Sequence, residues 1–335
     1  MITTALVGFG LSGRYLQAPF FLANPNFKLK TIVTANQNPT AIYPTVQKAT
    51  SLDAVLQDKD IDLVSICTPS LTHYDYAKQC LLAGKHILVE KPFVSTVSEA
   101  HDVLKLAKKL KKHVFVFQNR RFDSDFLTVK HIIDNGFLGE ILSFEVHYNR
   151  FKPVLNAKRW KEIVSPANGI LYDLGAHIID QSVMLFGTPL SISGETFTQR
   201  PNSEIDDAFD IRLDYGSTKV TLKSSLMVRE DTPRYIIHGT KGSFIKYGID
   251  VQEDHLKADI MPNMPEFGYE TPQFNGILNT EINGVHIRGQ VTTERGSWHL
   301  LFQNIYDVIK NGQEPLIKNE DILAQLRIIE AVKKA

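Results

Sequence analysis

The sequence predicts an α/β fold: an N-terminal doubly wound parallel sheet, followed by an α+β domain with a large, mostly antiparallel open sheet. Three observations predict it. At 335 residues the chain is too long for one comfortable core, so two domains are expected. In its first third, short and continuously apolar strands alternate with amphipathic helical stretches, the grammar of a parallel sheet covered on both faces. After Asn119 the pattern changes to consecutive strands of alternating character joined by turn-like connectors. The boundary is placed there, giving 1–119 and 120–335, with the C-terminal helices in the second domain or folded back on the first.

In order, the strands expected in the first domain are Thr4–Val7, Leu29–Thr34, Leu63–Ile66, His86–Val89 and Val114–Phe117. Helical patterns lie between them near Ser12–Leu22, Leu52–Leu56, Thr72–Leu82 and Val97–Leu110. Connection and handedness rules make the doubly wound order the default. The second domain opens with a helix over Phe126–Ile133, ended by Asn135-Gly136, and a strand over Glu140–Tyr148. Residues 150–169 are irregular, and a helix is expected over Ile170–Leu185. Four or five strands follow between Leu190 and Tyr247, among them Phe209–Tyr215, Lys219–Leu226 and Tyr235–His238. The segment 254–280, rich in Pro, Gly and Asn, gives no clear pattern. Helices over Trp298–Lys310 and Asn319–Lys333 close the chain.

Composition excludes several classes. Lys plus Arg equals Asp plus Glu at 37 each, so no net charge draws the chain to nucleic acid or an anionic membrane. The basic run Lys108, Lys109, Lys111 and Lys112 falls at a helix end, where cations suit the macrodipole. Cys67 and Cys80 both lie in apolar segments and are expected as buried free thiols, with no metal site. No stretch reaches the roughly 20 apolar residues of a membrane span, and the N-terminus lacks a signal pattern, so a cytoplasmic location is expected.

Gly8-Phe9-Gly10-Leu11-Ser12-Gly13 fits G-x-G-x-x-G between a strand and a helix. In a Rossmann-type unit the first glycine makes the tight turn. The second lets a pyrophosphate approach the backbone, and the third packs helix on strand. About 20 residues on, an acid that would bind the ribose of NAD is missing: the sequence reads Thr34-Ala35-Asn36-Gln37-Asn38. Without that carboxylate a 2′-phosphate is not repelled. Thr34, Asn36 and Asn38, with Arg14 beside the glycines, offer donors to it. NADP is therefore the expected cofactor, with NAD as the alternative if the loop is merely polar.

Ile66-Cys67-Thr68-Pro69-Ser70-Leu71-Thr72-His73 and His86-Ile87-Leu88-Val89-Glu90-Lys91-Pro92 each leave a strand at its carboxyl end, where open α/β sheets bind ligands. Pro92 restricts Lys91 to extended backbone, which holds the ammonium at the sheet edge as a candidate acid/base. Read alone, such a lysine is more often a surface charge. Asp173 and His177 stand i, i+4 in an apolar helix and should share a face. They read either as a satisfied buried pair or as reacting groups.

Taken together these motifs resemble the glucose–fructose oxidoreductase, inositol dehydrogenase and MocA (Gfo/Idh/MocA) family. The resemblance runs over essentially the whole chain, through Gly8–Gly13, Thr68-Pro69 with His73, Glu90-Lys91-Pro92 and Asp173-x-x-x-His177. It implies a catalytic group of Lys91, Asp173 and His177, with His177 taking a hydroxyl proton and Lys91 bonding the hydroxyl and the nicotinamide ribose. It also implies that Thr68, Pro69, His73, Glu90 and Gln118 or Asn119 line the cofactor cleft. Arg120, Arg159, Trp160 and Tyr172 then face the substrate. A closer likeness, through residues 119–126, 172–177 and 234–239, is to bacterial NADP-dependent scyllo-inositol dehydrogenases. It implies a polyol or sugar substrate, inositol-like, and a homodimer or homotetramer. Two competing readings are a cofactor-binding sensor without chemistry, against which Lys91, Asp173 and His177 argue together, and an NAD-dependent glycosidase. A nucleic-acid partner has no support.

Overall fold

The computed structural model describes residues 1–158 and 162–334. The described chain divides into two compact units: residues 1–119 with 252–267 and 298–322, and residues 120–251 with 268–297 and 323–335. After residue 119 the chain returns to the first unit twice, at 252–267 and at 298–322. The second returning piece is apolar where it joins: the helix His299–Asn311 turns Leu301, Phe302, Ile305 and Val308 inward.

The first unit contains β1 (Ile2–Val7), a π-helical turn (Ser12–Gln17) running into α1 (Ala18–Ala23), β2 (Phe27–Val33), β3 (Gln47–Ala49) and α2 (Asp53–Gln57). It continues through β4 (Leu63–Ile66), α3 (His73–Leu82), β5 (His86–Val89), α4 (Val97–Leu110) and β6 (Val114–Val116). The six strands pair in parallel in the order β3-β2-β1-β4-β5-β6, the doubly wound arrangement. Only the short edge strand β3 lacked a sequence signal; its residues Gln47 and Lys48 are exposed and carry no apolar run. Helix α4 shows why its boundaries were readable. Thr96 accepts from the Glu99 amide while Glu99 caps back, and Lys111 closes the helix at φ 55°.

The second unit opens with α5 (Ser124–Asp134) and β7 (Ile141–His147), then a π-helical turn (Leu171–Gly175) that becomes α6 (Ala176–Phe186). Strands β8 (Ser191–Phe197), β9 (Ala208–Tyr215), β10 (Thr218–Ser225), β11 (Tyr235–Gly239) and β12 (Gly242–Lys246) follow. After α7 (Gln252–Lys257), which belongs to the first unit, come β13 (Gly276–Ile282) and β14 (Val285–Val291). Helices α8 (His299–Asn311) and α9 (Asn319–Lys334) end the chain. The eight strands run β14-β13-β12-β11-β7-β10-β9-β8, all antiparallel except the β7–β10 pair. The mostly antiparallel sheet of the sequence reading is present, enlarged by β13, which begins inside the segment that gave no pattern, and by β14, which lies beyond it.

Alternation places Val220, Leu222 and Ser224 of β10 on the buried face. With Phe144, Ile211 and Ile237 that face packs against Ile178 and Ile179 of α6 and Ile328 and Ile329 of α9. In the first unit an aromatic cluster does the equivalent work: Phe20 stacks on Phe302 at 4.8 Å, and Trp298 lies beside Phe20 and Phe117. Cys67 and Cys80 are free and buried, and burial pushes both thiols up in pKa. No helix among the described residues is long and apolar enough to cross a membrane.

Candidate functional site

In the first unit β1 ends at Val7 and delivers the chain to Gly8, whose φ of +98° suits glycine. A Cβ on Gly8 would lie 2.6 Å from the Cys67 carbonyl oxygen, and one on Gly13 would lie 2.1 Å from the Gly8 oxygen. A Cβ on Gly10 would meet nothing within 4 Å. Two glycines are therefore required by the protein's own packing, and the third leaves backbone open to a ligand. The helix that follows begins with a π turn, a feature frequent at functional sites.

Glu90, buried at the end of β5, is turned toward that helix. It accepts from Gln17 Nε2 at 3.0 Å, from Ser12 Oγ, and from the Lys91 amide at 3.0 Å. Gln17 in turn accepts from Ser65 Oγ of β4. Strands β4 and β5 and the first helix are tied through one carboxylate, so Glu90 holds the glycine helix in place. Gln17 and Ser65 were missed in the sequence, where nothing local marks them.

His73 is likewise a tie. Its Nδ1 lies 2.9 Å from the Pro92 carbonyl and its Nε2 2.9 Å from the Thr68 carbonyl, joining the loops after β4 and β5. Thr68 Oγ1 pairs with Thr72 Oγ1 at 2.6 Å, and the Lys91–Pro92 peptide is cis. Lys91 is half-buried at this sheet edge. Gln118, just past β6, is 1% exposed, and both atoms of its amide lack a hydrogen-bond partner among the described residues. Leaving such an amide unsatisfied costs about 1–3 kcal/mol per group, so it fits a site completed by a bound molecule. With the open backbone at Gly10, these residues fit a dinucleotide. At the end of β2, Thr34 is half-buried and Ala35 to Asn38 are exposed, while Arg14 lies half-buried with its guanidinium 4.7 Å over the Tyr15 ring.

The second unit carries Asp173 and His177 across the junction of the π turn with α6. Asp173 is exposed and His177 is 6% exposed; the wider π turn keeps them about one turn apart on the helix. The start of this helix is fixed from a distance. Asp206 accepts from the Leu171 amide at 3.0 Å, its own carbonyl accepts from Ile170 at 3.0 Å, and Lys333 pairs with its other carboxylate oxygen. Gln325 donates to the Ala176 carbonyl. Tyr172 is buried, with the Lys333 ammonium 5.9 Å from its ring.

Arg120 is 7% exposed and bonds Asp123 at 2.9 Å; Arg121 forms a two-pronged pair with Asp180 at 2.6 and 2.7 Å. The Arg120 carbonyl accepts from Gln181 at 2.8 Å, and Gln181 accepts from Tyr235 at 2.9 Å. Asp123 and Tyr235 fall within the segments 119–126 and 234–239 that carried the closer likeness; Asp180 and Gln181 were given no role from sequence. Arg159 and Trp160 lie outside the described residues. Among the described residues no group of three or more His, Cys, Asp and Glu is placed to hold a metal ion.

Two family profiles match the chain. One, described as an oxidoreductase family with an NAD-binding Rossmann fold, covers residues 2–118. The other, described as the C-terminal alpha/beta domain of the oxidoreductase family, covers residues 130–335. The chain is 38% identical to the uncharacterized oxidoreductase YhhX of Escherichia coli, over 98% of this chain and 95% of that protein. It is 36% identical to the scyllo-inositol 2-dehydrogenase (NADP(+)) IolW of Bacillus subtilis, over 100% of this chain and 93% of the other. Among solved structures, an oxidoreductase of Bacillus subtilis, yvaA, superposes with a TM-score of 0.96 at 36% identity, covering 99% and 95% of the two chains.

Proposed function

Because the chain belongs to the Gfo/Idh/MocA family of oxidoreductases, we propose that it is an NADP-linked dehydrogenase of an uncharged cyclic polyol, scyllo-inositol or a close relative, or a reductase of the matching ketone. The observation that carries the substrate class is the internal pairing of Arg120 with Asp123 and of Arg121 with Asp180. Arg120, an expected substrate residue, and its neighbour Arg121 have their charge matched inside the protein. What they leave is a hydrogen-bonding environment suited to hydroxyls and not an anion clamp. The relative named for NADP and scyllo-inositol supports the same reading.

Lys91, Asp173 and His177 perform the proton chemistry. His177 accepts the proton of the reacting hydroxyl, and Asp173 orients the imidazole or polarises the same hydroxyl. Lys91 donates a hydrogen bond to the hydroxyl oxygen and holds the cofactor ribose. When bound, NADP would supply the hydride acceptor for the carbinol carbon, so that loss of proton and hydride together would leave a carbonyl on the substrate. Thr68, Pro69 and Asn119 line the cofactor, with Gln118 supplying its unsatisfied amide, while Glu90 and His73 keep the surrounding loops in register. Tyr172 and Arg120 border the substrate. A homodimer or homotetramer, formed through the outer face of the eight-stranded sheet, is part of this reading and is checked by sedimentation at several concentrations.

The test is a panel of inositols, aldoses, sugar ketones and acidic or phosphorylated sugars, each assayed with NAD and NADP by absorbance of the reduced nicotinamide. NADP-linked turnover of a neutral cyclic polyol is expected, with much weaker turnover of two- and three-carbon alcohols. Far faster turnover of an acidic or phosphorylated sugar would overturn the substrate class.

A further inference from the structure

We propose that Tyr43 is a positioning residue for the adenosine 2′-phosphate, holding Arg14 in register with the loop Thr34–Asn38 that the NADP reading already places around that phosphate. The inference rests on the NADP reading and deepens it, because Tyr43 carries no motif and is assigned by the fold alone.

Arg14 stands one residue past the last glycine of the loop. Its guanidinium lies over the Tyr15 ring at 4.7 Å, which covers one flat face and leaves the N–H edge available. Among the described residues no carboxylate forms an ion pair with it, in contrast to Arg120, Arg121 and Arg200. A guanidinium held by stacking, uncompensated by an acid and beside a glycine loop, is suited to a phosphate.

Tyr43 joins this cation to the loop after β2. A 3-10 turn over Pro39–Ala41 carries it, with the Tyr43 amide donating to the Pro39 carbonyl at 2.8 Å. The phenol donates to the Arg14 carbonyl at 3.1 Å, and the ring meets Phe9 edge-on at 6.0 Å. Burial, opposed by Arg14 and reinforced by Asp259 and Tyr15, holds the phenol above its ordinary pKa, so it stays a donor. One side chain thus touches the glycine loop, the backbone of Arg14 and, through its own turn, the exposed polar loop. In that loop Asn38 accepts from Thr40 Oγ1 at 2.7 Å through its amide oxygen, which orients the amide nitrogen as a donor. A phosphate between Arg14 and this loop gains donors from both sides only while their separation is fixed.

The experiment titrates the full chain with NADPH, NADH and adenosine 2′,5′-bisphosphate, by nicotinamide fluorescence and calorimetry, so no turnover is needed. Wild type is expected to prefer NADPH. Arg14→Gln should weaken NADPH and the bisphosphate by about 10-fold while NADH stays within about twofold, and Arg14→Lys should restore part of the loss. Tyr43→Phe keeps the ring on Phe9, removes only the hydroxyl, and should weaken the same two ligands by about 3-fold with NADH unchanged. Equal weakening of NADPH and NADH in Arg14→Gln would overturn the phosphate contact of Arg14, and unchanged NADPH affinity in Tyr43→Phe would overturn the role of Tyr43. A wild type that prefers NADH would instead sink the NADP reading, a result these variants keep separate.

Discussion

The helix that begins at Ser12 in the first unit and the one that begins at Leu171 in the second both open with a π turn, yet different parts of the chain fix them. The first combines a contiguous pattern with one distant tie: Gly13 lies against Gly8, Gly10 leaves room for a ligand, and Glu90 accepts from Ser12 and Gln17. The second is set by Asp206, Gln325 and Lys333, which come from β-strand connections and the last helix. The glycine part of the first start is contiguous and can be written as a motif. Ties from distant carboxylates and amides cannot. The comparison also separates what each start should do when damaged.

The largest effect is expected at the glycines. Gly13→Ala forces a Cβ to 2.1 Å from the Gly8 oxygen, and should lower cofactor affinity by about 100-fold or more together with thermal stability. Gly10→Ala meets no protein atom, so it should leave the melting temperature of the cofactor-free protein unchanged while still weakening NADPH. Equal thermal losses in both variants, read by circular dichroism, would contradict the open backbone at Gly10.

In the second unit Asp206→Ala removes the acceptor for the Leu171 amide and the partner of Lys333. A loss of about 1–2 kcal/mol in stability is expected. Turnover should fall because His177 and Asp173 lose their fixed helix start, while the NADPH dissociation constant is unchanged. A cofactor-affinity change matching that of Gly13→Ala would erase the distinction between the two starts.

These cases show why the sequence could be read where it could. The glycine motif, the Thr96–Glu99 capping box and the apolar strands β4 and β5 are contiguous signals, so their bounds needed no tertiary information. Tyr43, Asp206 and Gln181 act over long sequence separations, and each is an unremarkable residue in its own neighbourhood. Strands β13 and β14 escaped for another reason. Val285–Val291 is an edge strand with most residues exposed, so it carries no alternation of burial to read. Glu90 and His73 were found at the right sheet edge, but their side chains face Ser12, Gln17 and two carbonyl groups, a detail that spacing does not encode.

A smaller effect distinguishes the two edges of the parallel sheet. At the edge away from the glycines, His86 accepts the His113 amide through Nδ1 at 3.0 Å, and the two rings stack at 5.2 Å. Burial, then Lys112 and His113, lowers its pKa from 6.5 to about 4. An unfolded chain therefore takes up this proton first as pH falls. Stability from neutral His86 is fully present above about pH 6.5 and is lost as pH falls toward 4. With solvent screening of the half-buried ring discounted, the change is about 1–2 kcal/mol. His86→Gln should flatten the melting temperature across that window; a slope identical to wild type would assign the acid sensitivity elsewhere.

The proposal that Lys91, Asp173 and His177 perform the proton chemistry is tested most directly by comparing turnover with cofactor binding in Lys91→Ala and His177→Ala. Both variants should lose about 100-fold or more in turnover of the best polyol found for wild type, and His177→Ala should bind NADPH as wild type does. Normal turnover in both would contradict the account and leave a cofactor-binding protein whose chemistry lies in other residues.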